Sequence, residues 1–131
     1  MYMAPVKSGA ARSYRNVDLS SRIEGATPHR LVTILFEELL KAMDAMAAAM
    51  RRSDYSQRSS RQSRAMSILH GLEMSLDHDR GGDIARDLAL VYREARRLTM
   101  EASRGNDLQK LEQAREMVME LNSAWEAIGA R

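Results

Sequence analysis

Cysteine is absent from this 131-residue chain. That excludes a disulfide framework, thiolate metal ligation and a cysteine nucleophile, and it fits a reducing compartment. Proline occurs only at Pro5 and Pro28, and aromatics make up 5% of the residues. The Val, Ile, Thr and aromatic clusters expected of strands are missing. No uninterrupted apolar run approaches ~20 residues, so no segment is expected to span a membrane. The first residues, "MYMAPVKSGAARSYRNV", lack the apolar stretch of about 7–15 residues that a secretory signal needs. The chain is therefore expected to be soluble and cytoplasmic. The formal net charge is only +2, too small to imply a polyanionic partner.

What is present favours helix. Ten methionines stand beside abundant Ala, Leu, Glu and Arg, all good helix formers. The length fits one domain, and such a domain buries roughly two-thirds of the surface its unfolded chain exposes. A core is affordable without disulfide or metal.

Four runs carry helical spacing. The first opens at "ATPHRLVTILFEELLKAM", with Thr27 as N-cap and Pro28 at the first helical position. Val32, Leu35, Leu39, Ala42, Met46 and Ala49 then recur every third or fourth residue, on one helical face. The second run contains Ala65, Leu69, Leu72 and Leu76. The third contains Ile84, Leu88, Val91, Ala95, Leu98 and Ala102, and the fourth Leu111, Ala114, Val118, Leu121, Trp125 and Ile128. Each is a bundle seam. "RGGD" (80–83) and "RGND" (104–107) join the last three runs. Both place glycine where a left-handed helix end needs it and aspartate, Asp83 and Asp107, where an N-cap belongs. Gly81 and Gly82 are thus expected to end the second helix. The first connection, around 53–57, is polar and looser. The expected fold is all-α, an antiparallel up-down four-helix bundle over residues 27–131. Residues 1–26 form an N-terminal extension that is irregular, or short-helical around "YRNVDLSSRI".

Apolar residues remain after the four seams are filled: Leu31, Ile34, Leu40, Met43, Met50, Met66, Ile68, Met74, Leu90, Tyr92, Met117 and Met119. Some widen the core, because a globular helix often buries three positions of every seven. The others would form exposed grooves, which usually mark partner sites. Methionine is flexible enough to suit such a surface, and a groove between helices accepts an amphipathic partner helix.

Chemistry is harder to find. His29, His70 and His78 show no Glu-x-x-His spacing, and Glu73 three residues after His70 is the reverse order. No metal site and no cofactor are expected. No G-x-S-x-G or G-x-x-x-x-G-K-[ST] motif occurs, and Gly81 and Gly82 follow a helical run rather than a strand. The chain does not read as an enzyme. Residues 51–64, "RRSDYSQRSSRQSR", carry five arginines and one acid. They allow a nucleic-acid reading, but one aromatic, Tyr55, and a near-neutral chain favour a solvated helix end instead.

The stretches "SYRNV", "ATPHRLVTILFEELLKAM", "ILHGLEMSLDHDRGGDIARDLALVYREARRL" and "EASRGNDLQKLEQAREMVMELNSAWEAI" follow one another in this order. In that order they resemble the flagellar secretion chaperone FliS family, over roughly residues 12–128. The most specific parts are "TPHRL", the pattern "LD...GG.IA..L..VY" and the late "L...W".

The resemblance implies a helical bundle in the cytoplasm that binds the C-terminal segment of flagellin. That segment, disordered when free, becomes helical in hydrophobic grooves of the chaperone. Binding would prevent premature polymerisation and deliver flagellin to an export-gate component of the flagellar type III secretion apparatus. No catalysis, cofactor, nucleic acid or membrane insertion is implied. Tyr14 matches the family's N-terminal tyrosine and Val17 the aliphatic residue after it, in a segment expected to cover part of the groove or to touch the export gate. Ile68, Leu72, Leu76, Leu88 and Tyr92 match family apolar positions. Leu90 and Met117, left over from the seams, complete the candidate surface. For each of these residues core packing stands beside client contact. Ile34, Leu35 and Phe36 stand where "MLY" or "MLF" is common, and Ala10, Ala11 and Arg12 where members often carry an aliphatic residue. The alternative from another class is a structural or regulatory bundle, a homodimer for example, that self-associates through its surplus apolar face.

Overall fold

Thr27 and Pro28 start the first helix as their chemistry requires. In the computed structural model, which describes residues 21–129, α1 spans Pro28–Arg51, and the Thr27 hydroxyl oxygen accepts from the Arg30 N–H at 3.1 Å. A helical turn over residues 21–24 precedes it. By packing, the chain divides between Ile34 and Leu35, inside α1.

The unit that begins at Leu35 holds the rest of α1 and three further helices. α2 spans Tyr55–Met74, α3 His78–Gly105 and α4 Leu108–Gly129. Among the described residues there is no strand. Each start has an aspartate doing the capping. Asp54 accepts from Gln57 N–H at 3.1 Å, Asp77 from Arg80 N–H at 3.1 Å and Asp107 from Gln109 N–H at 3.0 Å. Each satisfies a first-turn donor that has no carbonyl partner inside the helix.

Three expectations are corrected here. α2 ends at Met74, well before the glycine pair, because Ser75 takes over its last carbonyls: Ser75 N–H donates to Gly71 O at 3.0 Å and its hydroxyl to Leu72 O at 2.7 Å. Asp77, not Asp83, is then the cap of α3, and Gly81 and Gly82 lie inside that helix. Gly82, at φ 48° and ψ −122°, breaks it there. At the far end of α3 the left-handed residue is Asn106, φ 50°, rather than Gly105. Asparagine is one of the few side-chain-bearing residues that adopt that conformation readily. The Arg- and Ser-rich stretch is not loose either. Only a tight turn through Ser53, φ 56°, separates α1 from α2, and residues 55–64 are helix.

Ion pairs between helices give the neighbour order. Arg64 meets Glu38 at 3.4 Å (α2 to α1), and Arg93 meets Glu73 at 2.8 Å (α3 to α2). Lys110 meets Glu101 at 2.8 Å (α4 to α3), and Arg115 meets Asp44 at 2.7 Å (α4 to α1). Each helix thus touches the next and the last returns to the first: an antiparallel ring around one core. The core is fed by Leu39, Met43 and Met46 from α1, Leu69 and Leu72 from α2, and Leu111 and Val118 from α4. α3 contributes small side chains, Ala85, Ala89, Ala95 and Ala102, around Tyr92 and Leu98. Thr99, fully buried, keeps its hydroxyl satisfied by donating to Ala95 O of its own helix at 2.7 Å.

Candidate partner-binding surface

The seams of α3 and α4 run out of cover before the helices end. Along α3, Ala95, Leu98 and Ala102 are buried, Val91 and Leu88 are half-buried, and Ile84, on the same stripe, is 73% exposed. Along α4, Leu111, Ala114 and Val118 are buried, Leu121 and Trp125 half-buried, and Ile128 is 56% exposed. A short turn makes these helices antiparallel, so both open ends lie at the same end of the bundle. The candidate surface at that end is Ile84, Leu88 and Val91 on α3 and Leu121, Trp125 and Ile128 on α4.

The cause lies in α2. Glu73, in its last turn, is held by two arginines of α3, Arg93 at 2.8 Å and Arg96 at 2.7 Å. The end of α2 therefore sits beside residues 93–96. That is about ten residues, or roughly 15 Å of helix, short of where α3 straightens after Gly82. Over that distance the face of α3 turned to the core is Ala85, Ala89 and Tyr92, all buried, and Ile84, Leu88 and Val91 lie beside it. The Glu73 side chain is only 6% exposed. Burial alone would push its carboxyl up, but the hydrogen bonds and charge of Arg93 and Arg96 outweigh that and hold it below its ordinary value. The pin is therefore ionised at neutral pH.

The expected contact residues separate into groups. Leu72 is 1% exposed and Tyr92 5%. Both are core, and burial pushes the Tyr92 hydroxyl pKa up. Leu76 and Leu88 are half-buried at the open end, while Leu90 is exposed on the other side of α3. Ile68 and Met117 are half-buried along their helices. Tyr14 and Val17 lie outside the described residues. Sequence reasoning placed Ile84, Val91, Leu121, Trp125 and Ile128 in the packed seams. The signal that sets them apart is the early stop of α2 at Ser75 and the cap at Asp77.

A second concavity of about 470 Å³ lies between α1 and α4, with Met43, Ala47 and Leu111 on its floor and Asp44 and Arg115 bridging it. It carries no chemistry of its own. Among the described residues no three His, Asp or Glu side chains are placed to share a metal ion, and no helix is long and apolar enough to cross a membrane.

The chain is similar to known proteins over most of its length. The family described as flagellar protein FliS matches residues 10–131. The flagellar secretion chaperone FliSB of Pseudomonas aeruginosa is 29% identical over 119 residues, covering 91% of this chain and 94% of that protein. The flagellar secretion chaperone FliS of Vibrio cholerae is 29% identical over 120 residues (92% and 88%). That of Salmonella typhimurium is 27% identical over 121 residues (92% and 90%).

Proposed function

The chain belongs to the flagellar protein FliS family, and from that membership we propose that it is a cytoplasmic chaperone for flagellin. It binds the C-terminal segment of flagellin on its apolar surface, keeps that segment from polymerising early, and hands it to the export gate of the flagellar secretion apparatus. The relatives are named as secretion chaperones rather than enzymes, and the surface described above suits binding rather than catalysis.

The observation that carries the reading is the uncovered end of the α3 and α4 seams. Ile84 and Ile128 stand on the stripes that face the core elsewhere, yet more than half of each is open. An amphipathic helix laid there continues the bundle's own packing, as helix-in-groove recognition does. Its gross gain is roughly 25 cal/mol for each Å² of apolar area removed from water. Ordering a disordered client offsets part of that gain, which keeps the complex reversible and lets the client be released for export.

The test is a titration with a synthetic peptide of the C-terminal segment of flagellin from the same cell, followed by calorimetry and far-ultraviolet circular dichroism. Heat of binding and a gain in helicity beyond the sum of the parts are expected. No heat and no gain in helicity refute the flagellin reading.

A further inference from the structure

Charge is divided unevenly between α2 and α4, the two helices that flank α1 in the ring. From Tyr55 to Leu72 the chain has no acidic residue, while Arg58, Arg61 and Arg64 follow one another three apart. Arg64 shares Glu38 of α1 with Lys41, at 3.4 Å and 3.5 Å. Arg58 and Arg61 have no carboxylate partner among the described residues. The Arg58 guanidinium instead lies over the Tyr55 ring, 5.1 Å from its centroid. The rest of the solvent face there is Ser56, Ser59, Ser60 and Ser63, all exposed and too short to screen the arginines.

α4 is the reverse. Its two cations are taken by neighbouring helices, Lys110 by Glu101 at 2.8 Å and Arg115 by Asp44 at 2.7 Å. Glu112, Glu116, Glu120 and Glu126 are exposed, and none has a basic partner among the described residues. The first three are four residues apart, in line along the side of α4 away from the buried Leu111, Ala114 and Val118. Met119, 40% exposed, stands among them. Like charges at that spacing weaken the helix that carries them, and among the described residues nothing offsets the repulsion.

We propose that the glutamate face of α4 is a docking surface for the arginine face of α2 on a second copy of this chain. The complement is written in the same sequence: unmatched glutamates on one helix, unmatched arginines on another. A guanidinium fork fits a carboxylate in two-pronged geometry. The formal net charge is only +2, so copies are not held apart by their overall charge. The two faces belong to different helices, so the contact is head-to-tail. It leaves one face of each kind open at the ends, and growth does not stop at two copies. The partners are exposed charges, so the contact is weak and salt-sensitive. It uses the side of α4 away from its core stripe, which makes it independent of the client-binding reading.

The test is sedimentation velocity on the full chain over a concentration series. It is run at about 0.01 M and about 1 M salt, where charges are screened over about 30 Å and about 3 Å. Expected is an average mass above the monomer's that rises with concentration at low salt, and the monomer mass at high salt. A monomer under both conditions overturns the proposal. So does association that persists at high salt, which would be apolar. Two charge-reversed variants then identify the faces. Glu116→Lys with Glu120→Lys reverses α4 at exposed positions that hold no partner in the fold. Arg61→Glu with Arg64→Glu reverses α2. Each variant alone should lose the low-salt association, and an equimolar mixture of the two should recover it, because each then offers the other a complementary face. Association that survives the α4 reversal overturns the proposal, even if the α2 reversal removes it, since a polyanion would then be bridging the arginines. A mixture that stays monomeric overturns it too. Should the α2 variant lose its cooperative melt, the wild-type salt series and the α4 variant decide the matter by themselves.

Discussion

Replacing Glu73 by glutamine removes the charge that pins α2 to α3 and keeps the side chain's shape. Two charge-assisted contacts are weakened. Arg93 is more than half exposed, so water replaces most of its bond and the loss there is small. Arg96 is largely buried, and a hydrogen bond to a charged group in such a place contributes about 1.5–3 kcal/mol. The expected loss is about 2–3 kcal/mol at pH 7. For a chain of this size that lowers the melting temperature by roughly 6–12 °C. The pH dependence follows from the direction of the Glu73 shift. A carboxyl held below its ordinary value stabilises the fold fully above the unfolded value, 4.5, and loses that contribution as pH falls through the folded value. Urea melts of wild type and Glu73→Gln should therefore differ widely at pH 7, and the gap should narrow progressively as pH falls below 4.5. A gap below about 0.5 kcal/mol at pH 7, within the range of exposed pairs, would show that the pin contributes little. A gap that stays constant as pH falls would show that charge is not the cause.

Ile84→Asp should leave stability within about 0.5 kcal/mol, as exposed positions do, and weaken flagellin-peptide binding at least about tenfold by burying a charge in the interface; a calorimetric titration beside a thermal melt reads both. Leu72→Ala should cost about 2–5 kcal/mol in a urea melt through a core cavity, with peptide affinity unchanged at temperatures where the variant is folded. Asp77→Ala should lose about 1 kcal/mol with its cap, seen in the same melt. Arg115→Ala should cost no more than about 1 kcal/mol, since its pair with Asp44 is largely exposed, and a double-mutant cycle with Asp44→Ala measures the coupling.

The helix starts with local chemistry were legible. Thr27 with Pro28, and Asp107 after a glycine, allow one reading each, and both hold. The start of α3 was not, because Asp77, Asp79 and Asp83 all fit a cap. Local preference cannot choose among them. The choice is made by Ser75, whose hydroxyl closes α2 on Leu72 O, so that the next aspartate in reach becomes the cap. The Arg-rich stretch looked like a loop by its polarity, yet arginine is a good helix former and Asp54 stands ready to cap it. Seam periodicity correctly put Ala95, Leu98, Ala102, Leu111, Ala114 and Val118 in the core. It also put Ile84 and Ile128 there, because spacing reports which face a residue is on and not how far the neighbouring helix reaches. The candidate site lies in that gap, at residues assigned to packing by their period.

The length of α2 decides whether this bundle has a binding surface. α2 spans Tyr55–Met74, while α3 runs to Gly105 and is broken at Gly82, and the pin at Glu73 fixes where α2 ends against it. The cost of leaving the seams of α3 and α4 open can be gauged. Fully burying one Leu or Ile side chain contributes about 1.5–3 kcal/mol, so leaving Ile84 and Ile128 mostly open, with Leu88 and Leu121 half open, forgoes several kcal/mol. Small proteins have only about 5–15 kcal/mol of net stability. A sequence that stops α2 with Ser75 and continues the apolar stripes of α3 and α4 beyond it gives up a sizeable part of that margin. On the proposed function, a client helix in that place would recover the loss, and the residues that make the free bundle less stable would supply the affinity.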